Sequence, residues 1–435
     1  MDPSSCCLPN YSPPSSPPSF SPHIIEGERS LLYTERTSHA ATGTFTMNAG
    51  NISIALTEQD EDSPLPVYSQ RGVVAGSVNF EDCTNVRAVI LKFQGRLRLS
   101  VTGSNASSST IKVLSEAFLL YSGDASPESS SCPRSIPFSV IFPSTFSDGT
   151  REISLPPSYE GTFTGIPGIY AKCEYNLKVV IKTTKSLPWN KEKKIIVPLN
   201  YCPRKRPPQP IIPRLDLFSS IKTVPEEWFQ TTATLKGRAD SQLLPLETHF
   251  LLPSVRSFGL SDTIPFHIQI TGPLSSLRVL LSHLSTERLA GLELNRPKDP
   301  YIMIMSVIIM REIYVQVNRQ VVWKHCVIGK GVLRAIPPQF DSDCSNLGSS
   351  SRDDGPISGL MPDVGQSIDW EGEIRCQEDV KVGSFDAGKV SLKEFLIFSV
   401  QPGLPMQSTA FLPLRNAVPI SLATDTWGSG HGGGI

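Results

Sequence analysis

A proline-tyrosine motif offers the sharpest chemistry in this sequence. Pro156, Pro157 and Tyr159 occupy the P-P-x-Y pattern, which binds the aromatic groove of a WW domain through its polyproline conformation and its tyrosine ring. A second interpretation stays open, in which the segment is a turn between two strands and the tyrosine ring packs inward. The sequence therefore predicts either an exposed WW ligand or a structural loop here.

A weaker form of the same motif, L-P-x-Y, lies earlier in the chain at Leu65, Pro66 and Tyr68. Its structural interpretation is the start of a strand before a turn at Gly72. One short motif binds weakly, and a second linked contact raises the effective concentration of the partner. Useful recruitment of a WW domain is therefore expected to need both motifs.

Basic side chains form the third candidate site. They surround one predicted hairpin and continue into the proline-rich segment after it, at Lys191, Lys193, Lys194, Arg204, Lys205 and Arg206. The patch has two interpretations, a solvated hairpin tip or a docking surface for anionic lipid headgroups and for acidic or phosphorylated tails of membrane proteins. Binding to such a surface would weaken with added salt.

Catalytic chemistry has no support in the sequence. Motifs for a nucleophile elbow, a zinc protease, a P-loop or a dinucleotide fold are absent in any suitable context, and the Gly-rich segment at 428–434 opens no predicted helix. Histidines in strand-like runs have irregular separations, so we interpret them as ordinary strand residues rather than metal ligands: His249, His267, His283 and His325. We expect a protein that is not an enzyme and uses no cofactor.

Length and composition narrow the class of protein. The 435 residues exceed one ordinary core, and a prior of about 150 residues per domain predicts two domains plus unstructured excess. A formal net charge of −1 indicates no nucleic-acid partner. The nine cysteines form no C-x-x-C pair, the first residues lack a secretory signal, and the apolar run at 301–310 is half of the roughly 20 residues that a spanning helix needs. These features favour a cytoplasmic chain with reduced thiols.

Period-two alternation of apolar residues runs through most of the chain and predicts strands. No stretch has a convincing period of 3.6 residues. In the run at 86–101, a change of face around Gly95 suggests a bulge or a switch of the strand between sheets. The other predicted strands include 51–57, 72–80, 111–121, 168–184, 231–239, 277–284, 303–317, 321–333, 372–380 and 389–400.

The second part of the chain repeats the plan of the first. An Ile-Pro-Phe tripeptide begins at Ile136 and again at Ile264, an offset of 264 − 136 = 128 positions and a plausible domain length. A glycine in 231–239 is interpreted as the counterpart of the one in 73–78. Both halves therefore look like versions of one sandwich.

The predicted organisation has five parts. Five prolines in the stretch 201–213 fix φ and remove amide donors, so this basic stretch is expected to be an extended hinge. We predict an all-β protein with these divisions: a disordered Ser/Pro-rich N-terminus at 1–50, a β-sandwich at 51–200, the hinge at 201–213, a second β-sandwich at 214–424 with a disordered insertion at 337–369, and a Gly-rich tail at 425–435. Some relative motion of the two sandwiches is expected unless a large apolar interface joins them.

The order of several motifs carries a family resemblance. The series Pro66-Val-Tyr, Gly72-Val-Val-Ala-Gly, Leu91-Lys-Phe-Gln-Gly, Ile136-Pro-Phe and Leu155-Pro-Pro-Ser-Tyr resembles the N-terminal domain of arrestin-like proteins of the α-arrestin branch. The similarity covers roughly 51–213, and it is fainter in the second half. It implies two immunoglobulin-like β-sandwich domains in an arrestin fold.

The resemblance also implies adaptor work at the plasma or endosomal membrane. Members of the branch resemble scaffolds that grip cytosolic tails of membrane proteins and recruit WW-containing ubiquitin ligases of the HECT type for endocytosis. This sequence departs from that pattern, because it lacks the P-P-x-Y copies that such proteins usually carry in a C-terminal tail. The alternative is an arrestin-fold scaffold in signalling that uses no ubiquitin ligase.

Overall fold

The computed structural model of the protein describes residues 41–60, 63–103, 106–123, 132–183, 192–211, 221–286, 302–336, 366–403 and 409–427. We call the described residues up to 211 the first half and those from 221 the second half. Lys191, most of the predicted disordered N-terminus and most of the predicted insertion lie outside the described residues.

Strands of the first half follow the alternation of the sequence, because apolar side chains at every second position can be buried on one face of a sheet. Their bounds are β1 Gly43–Asn48, β2 Ile52–Gln59, β3 Val67–Tyr68, β4 Val73–Phe80, β5 Val86–Thr102, β6 Ser107–Ser122, β7 Ser135–Ile141, β8 Thr145–Ser147, β9 Glu152–Ser154, β10 Tyr159–Phe163, β11 Gly168–Thr183 and β12 Glu192–Tyr201.

The second half is also built from strands, with a short 3-10 turn at Pro225–Glu227, an α-helix, α1, at Leu274–His283, and α-helical residues at 221–223. Its strands are β13 Trp228–Leu235, β14 Leu246–Pro253, β15 Ser257–Gly259, β16 Ile264–Gly272, β17 Leu284–Thr286, β18 Met303–Val317, β19 Gln320–Lys330, β20 Val332–Ile336, β21 Gln366–Ile374, β22 Phe385–Asp386, β23 Val390–Pro402 and β24 Leu414–Ala423.

The same strand order occurs in both halves. In the first half the sheets run β1-β2-β4-β7 and β3-β12-β11-β5-β6, and β10 joins β11. In the second half they run β13-β14-β16-β21-β20 and β15-β24-β23-β18-β17, with β19 also paired to β18. The long strands β12, β11, β5 and β6 thus correspond to β24, β23, β18 and β19, and short β3 and β15 each pair in parallel with the last long strand. The predicted all-β sandwich class is confirmed; the division into two domains with a hinge stays a prediction.

Two apolar cores lie inside the sheets, and two strands contribute to both. The inward residues of β18 from Met303 to Ile309 belong to the core of the second half, whereas Ile313, Val315 and Val317 belong to that of the first. Strand β23 divides in the same way, with Leu392 in one core and Leu396 in the other. The halves therefore share apolar packing, which is the condition under which we expected their relative motion to be restricted.

Three expectations about individual elements were wrong. Strand β1 lies inside the segment predicted to be disordered; Phe45 and Met47, its only large apolar residues, pack against the core of the first half. The predicted strand at 277–284 is helix α1, because Leu277 and Leu280 are spaced to be buried together on one helix face after Pro273. The glycine comparison also fails: Gly76 lies within β4, whereas Gly237 follows the end of β13.

Strand β5 keeps one face inward along its length, contrary to the predicted change of face. Val89, Leu97 and Val101 are all buried, so the parity never switches. The register irregularity at Gly95 is real but lies in the pairing with β6, where Gly95 is opposite Leu114 and the next residue is opposite Lys112. Gly95 leaves space for the ring of Tyr175, since a Cβ there would lie 2.6 Å from that ring.

Candidate functional site: a basic face on the six-stranded sheet

The exposed face of the six-stranded sheet collects basic side chains from four strands. Because inward residues of β5 are odd-numbered, its even-numbered residues point outward. Cross-strand register then places neighbouring strands' outward residues beside them. We define the basic face as Lys92, Arg96, Lys112, Lys178, Lys182 and Lys194.

Two pairs of like charges are directly opposite each other on this face. Lys92 of β5 is opposite Lys178 of β11, and Arg96 of β5 is opposite Lys112 of β6. Like charges directly opposite on a sheet are destabilising, each by about 0.2–1 kcal/mol. Arg96 also has Glu174 directly opposite it on β11, so the Lys92–Lys178 pair is the less compensated of the two and the one that an anion would relieve.

Acidic residues lie opposite part of the basic face, since Glu174 of β11 is directly opposite Arg96 and Glu192 of β12 is opposite Lys182. The Glu174 carboxylate accepts a hydrogen bond from Arg98 and lies 3.9 Å from Lys172 Nζ. Glu160 accepts a hydrogen bond from Lys172 at 2.8 Å, which lowers the pKa of the Glu160 carboxyl. Lys194 Nζ lies 3.5 Å from a Glu192 oxygen. Among the described residues, neither Lys92 nor Lys178 has a carboxylate within ion-pair distance.

Apolar side chains lie among these lysines. Ile196 of β12 is opposite Lys178 and is 50% exposed, while Leu119 of β6 is opposite Ile90. Val180 is buried although it is on the outward face, with Lys194 opposite it. Lysine stems can cover apolar surface while their ammonium groups reach water. The face can thus bind a ligand that has both negative charges and apolar groups.

The predicted basic patch does not come together as one surface. Lys193 and Lys194 are consecutive strand residues and point to opposite faces, so only Lys194 joins the basic face. Lys193 Nζ instead donates hydrogen bonds to the Ala49 carbonyl at 2.7 Å and to Asn51 Oδ1 at 3.2 Å. Its role in this structure is to hold the turn between β1 and β2.

The three basic residues of the predicted hinge lie beside the end of β24. Lys205 N donates to Thr424 Oγ1 at 2.8 Å, and Asp425 N donates to the Lys205 carbonyl at 3.0 Å. Arg206 Nε lies 3.9 Å from an Asp425 oxygen, while Arg204 and Lys205 are exposed. This stretch is therefore bonded to the second half and is separate from the basic face defined above.

The P-P-x-Y motif is built into the first half. Pro156 and Pro157 are buried, and the Tyr175 hydroxyl donates to the Pro156 carbonyl at 2.6 Å. Ser158 is fixed in both directions, since its N–H donates to the Tyr201 carbonyl and its Oγ accepts from Tyr201 N, each at 2.8 Å. A WW groove could not reach both prolines in this arrangement.

The tyrosine of the motif lies where the two halves meet. Tyr159 is the first residue of β10, and its ring centroid lies 5.7 Å from that of Phe385 in the second half. Burial raises the pKa of the Tyr159 hydroxyl to about 12. The motif is thus a structural loop in this fold, and binding of a WW domain in solution stays a prediction.

The L-P-x-Y segment is likewise part of the fold. Val67 and Tyr68 form β3, and the Pro66 carbonyl accepts a hydrogen bond from Asn200 N at 2.8 Å. Leu65 is partly exposed, but Pro66 and Tyr68 are buried. Burial raises the pKa of the Tyr68 hydroxyl.

An aromatic cluster that sequence reasoning missed explains this burial. It is centred on Phe142, whose ring stacks on Tyr201 at a centroid distance of 4.7 Å. Its other ring neighbours are Tyr68, Phe93 and Tyr175. Tyr68 of the L-P-x-Y motif therefore belongs to this cluster, and Pro156 of the P-P-x-Y motif accepts a hydrogen bond from Tyr175, another member.

A buried ion pair is the second feature that the sequence analysis missed. Arg311 Nε of β18 donates to Glu394 Oε1 of β23 at 2.7 Å, and Arg311 Nη2 donates to the Val382 carbonyl at 2.7 Å. Ser384 also donates a hydrogen bond to Glu394. Burial raises the pKa of Glu394 even though Arg311 favours the ionised form. Arg311 and Glu394 each interrupt the alternating apolar residues on the inward face of a strand. This interruption is visible in the sequence and could have identified the pair.

The strand histidines are placed as ordinary polar residues. His267 is buried and shares a 2.9 Å hydrogen bond with Asp369, His249 pairs with Gln230 at 2.8 Å, and His325 lies 3.2 Å from Glu312. His283 is the last residue of α1. Within the described part of the chain, no group of three or more His, Cys, Asp or Glu residues could hold a metal ion.

Comparison with known proteins assigns no family to this chain. No protein-family model matches it, and no curated protein sequence does. The fold and the candidate site therefore define this protein only as an all-β sandwich protein with a basic outer face. Among the residues that the structure describes, none of the helices has the length and apolarity needed to cross a bilayer.

Proposed function

We propose that this protein is a non-enzymatic, arrestin-like adaptor that binds acidic or phosphorylated cytosolic segments of membrane proteins through the basic face. The observation that carries the proposal is the cross-strand register that sets Lys92 opposite Lys178, with no carboxylate within ion-pair distance of either among the described residues. Holding like charges opposite each other costs stability, and carboxylates or phosphates between them would return it through charge-assisted hydrogen bonds.

The form of the ligand follows from the dimensions of the sheet. Lys92 and Arg96 are four residues apart on β5, which is about 13 Å along a strand. Lys178 and Lys194 are diagonal neighbours across β11 and β12, about 7–8 Å apart. A segment with several negative charges spaced along an extended chain matches this pattern better than one isolated anion.

The buried prolines favour the form of the proposal that does not depend on a ubiquitin ligase. A WW domain would have to displace the Tyr175 and Tyr201 contacts of residues 156–158 before it could bind. Opening of that loop costs several hydrogen bonds and part of the first core. We therefore propose a scaffold at the cytosolic face of the plasma or endosomal membrane, with WW recruitment through this motif as the second candidate.

The test is a charge reversal with a matched control. Lys92→Glu combined with Lys178→Glu should weaken binding of a multiply phosphorylated serine peptide by roughly 30-fold, taking about 1 kcal/mol for each basic side chain. Lys236→Glu combined with Lys381→Glu changes the net charge equally at exposed positions of the second half, and should leave binding nearly unchanged.

A second arm separates tails from lipid. Vesicles with and without phosphatidylserine should bind more weakly than the peptide at 0.15 M salt, where the Debye length is about 8 Å. Equal loss of peptide binding in the control double variant would overturn the proposal. Strong binding to anionic vesicles with none to the peptide would replace the tail by a lipid surface.

A further inference from the structure

Two free cysteines that are far apart in the sequence meet at the edge of the first four-stranded sheet. Strands β4 and β7 pair from Val73 opposite Ile141 to Asn79 opposite Ser135. The pairing continues for one more bond, from Phe80 N to the Arg134 carbonyl at 2.8 Å. Cys83 and Cys132 lie just beyond, and Cys83 Sγ donates to the Cys132 carbonyl at 2.9 Å, although 49 positions separate them.

The Cys132 thiol donates to the Pro133 carbonyl at 3.6 Å. Burial, and to a smaller extent the neighbouring Cys83 thiol, raises the pKa of the Cys132 thiol to about 11. Cys132 is 5% exposed, whereas Cys83 is partly exposed and packs on the rim of the core. One sulfur can therefore be reached from solvent while the other is held behind it.

This pairing is particular to these two cysteines. The other described thiols are Cys173, Cys202, Cys326 and Cys376. Cys173, for example, has a carbonyl, that of Pro156, as its hydrogen-bond acceptor at 4.0 Å. None of these four has a second thiol as a hydrogen-bond partner among the described residues.

We propose that Cys83 and Cys132 form a reversible disulfide in the folded protein when it meets a small disulfide oxidant of the glutathione class. The proposal is independent of the adaptor function. It rests on the 2.9 Å contact between Cys83 Sγ and the Cys132 carbonyl and on the β4–β7 ladder, which brings the two backbone segments side by side.

The reaction follows ordinary thiol–disulfide exchange. The Cys83 thiolate attacks one sulfur of oxidised glutathione, which forms a mixed disulfide and releases one glutathione thiolate. That thiolate takes the proton of Cys132, whose sulfur then attacks the Cys83 sulfur. The Cys83–Cys132 bond forms as the second glutathione thiolate leaves. The protein loses two electrons and two protons, and one oxidised glutathione becomes two reduced molecules.

A disulfide here would change the stability of the fold. It would close a loop that contains β5 and β6, two strands of the sheet that carries the basic face. Closing a loop of this length restricts the unfolded chain. We expect oxidation to raise the midpoint of thermal unfolding by roughly 5–10 °C.

The experiment uses the full chain with Cys6 and Cys7 replaced by serine, so that exchange at that adjacent pair cannot interfere. After incubation in oxidised and reduced glutathione, a maleimide reagent labels the remaining thiols and peptide mapping locates each one. We expect a Cys83–Cys132 linkage that excess reductant reverses. Cys132→Ser should instead accumulate a glutathione adduct on Cys83, because no second thiol is present to resolve it.

Controls keep the outcome decisive. Cys83→Ser removes only the partly exposed sulfur, and should abolish both the linkage and the rise in the unfolding midpoint. Cys202→Ser should change neither. A stable glutathione adduct on Cys83 in the parent chain, with no linkage to Cys132, would overturn the proposal. Linkage of Cys83 to any other cysteine would overturn it as well.

Discussion

The two halves use one strand order and place charge in opposite ways. On the outer face of the first half, the central strands β5 and β11 set Lys92 opposite Lys178. On the corresponding face of the second half, β18 and β23 set Glu312 opposite Lys393, and Glu312 also contacts His325. The Lys92–Lys178 pair of the first face has no carboxylate within ion-pair distance, whereas Glu312 of the second face balances Lys393.

On the inner faces of the same strands, the second half carries charge and the first half does not. Inward positions that β5 and β11 share are apolar, as where Phe93 is opposite Leu177. Inward positions of β18 and β23 include the Arg311–Glu394 ion pair, which lies where the two cores adjoin. The same topology can thus serve two roles. Charged side chains on an exposed face are available to a binding partner, whereas a buried ion pair fixes how neighbouring strands pack.

The largest effect is expected at the interior charge of the second half. Glu394→Ala leaves the Arg311 guanidinium buried without its carboxylate, and should lower the free energy of unfolding by about 3–5 kcal/mol. Urea denaturation followed by fluorescence would measure the change. The double variant Arg311→Met with Glu394→Leu removes both charges and should recover most of the loss. A loss below about 1 kcal/mol for Glu394→Ala would show that the pair is solvated in solution.

The next effect concerns the contact between the halves at Tyr159. Tyr159→Ala removes a half-buried ring from Phe385, and should cost about 2–3 kcal/mol, somewhat less than the truncation of a fully buried aromatic residue. Tyr159→Phe keeps the ring and serves as the control. Thermal unfolding and capture on an immobilised WW domain should be measured together. A stable Tyr159→Ala protein, combined with capture of the parent chain but not of the variant, would restore the WW-ligand interpretation.

Local alternation predicted most of the framework, because a period of two is visible within any single strand. The predicted strand at 303–317 coincides with β18, and that at 168–184 ends one residue after β11. Helix α1 was missed although Pro273, Leu277 and Leu280 carry a helical pattern. The helix has only ten residues, and three of its apolar residues are consecutive instead of at helical spacing. Its helical pattern was therefore too weak to stand out from the strand patterns on either side.

The candidate site was much harder to predict, because it depends on register between distant strands. Nothing local places Lys92 opposite Lys178, and the sequence instead drew attention to basic residues that are adjacent in the chain. Adjacent strand residues point to opposite faces, so Lys193 and Lys194 could have been separated by parity alone. Arg311 could have been found in the same way, since it interrupts an inward stripe of apolar residues.

A smaller effect should follow from giving the second face the charge pattern of the first. Glu312→Lys places a lysine opposite Lys393 and removes the partner of His325. Stability should fall by about 0.2–1 kcal/mol, and weak binding of the phosphorylated peptide should appear even when Lys92 and Lys178 are reversed. Glu312→Gln removes the carboxylate without adding a lysine and is the control. No gain of binding would show that charge density alone does not make the site.

The smallest effect tests the cost of the basic face itself. Lys178→Gln removes one ammonium from the Lys92–Lys178 pair, so the free energy of unfolding should rise by a few tenths of a kcal/mol to about 1 kcal/mol. The gain should vanish near 1 M salt, where the Debye length is about 3 Å. It should also vanish in a Lys92→Gln background, because the repulsive partner is then already absent. Lys236→Gln, a substitution of an exposed lysine in the second half, should show no comparable gain.

Stability that rises while peptide affinity falls is the expected signature of a surface kept for binding. A fall in stability would instead mean that the Lys178 stem contributes more by covering Ile196 than its charge costs.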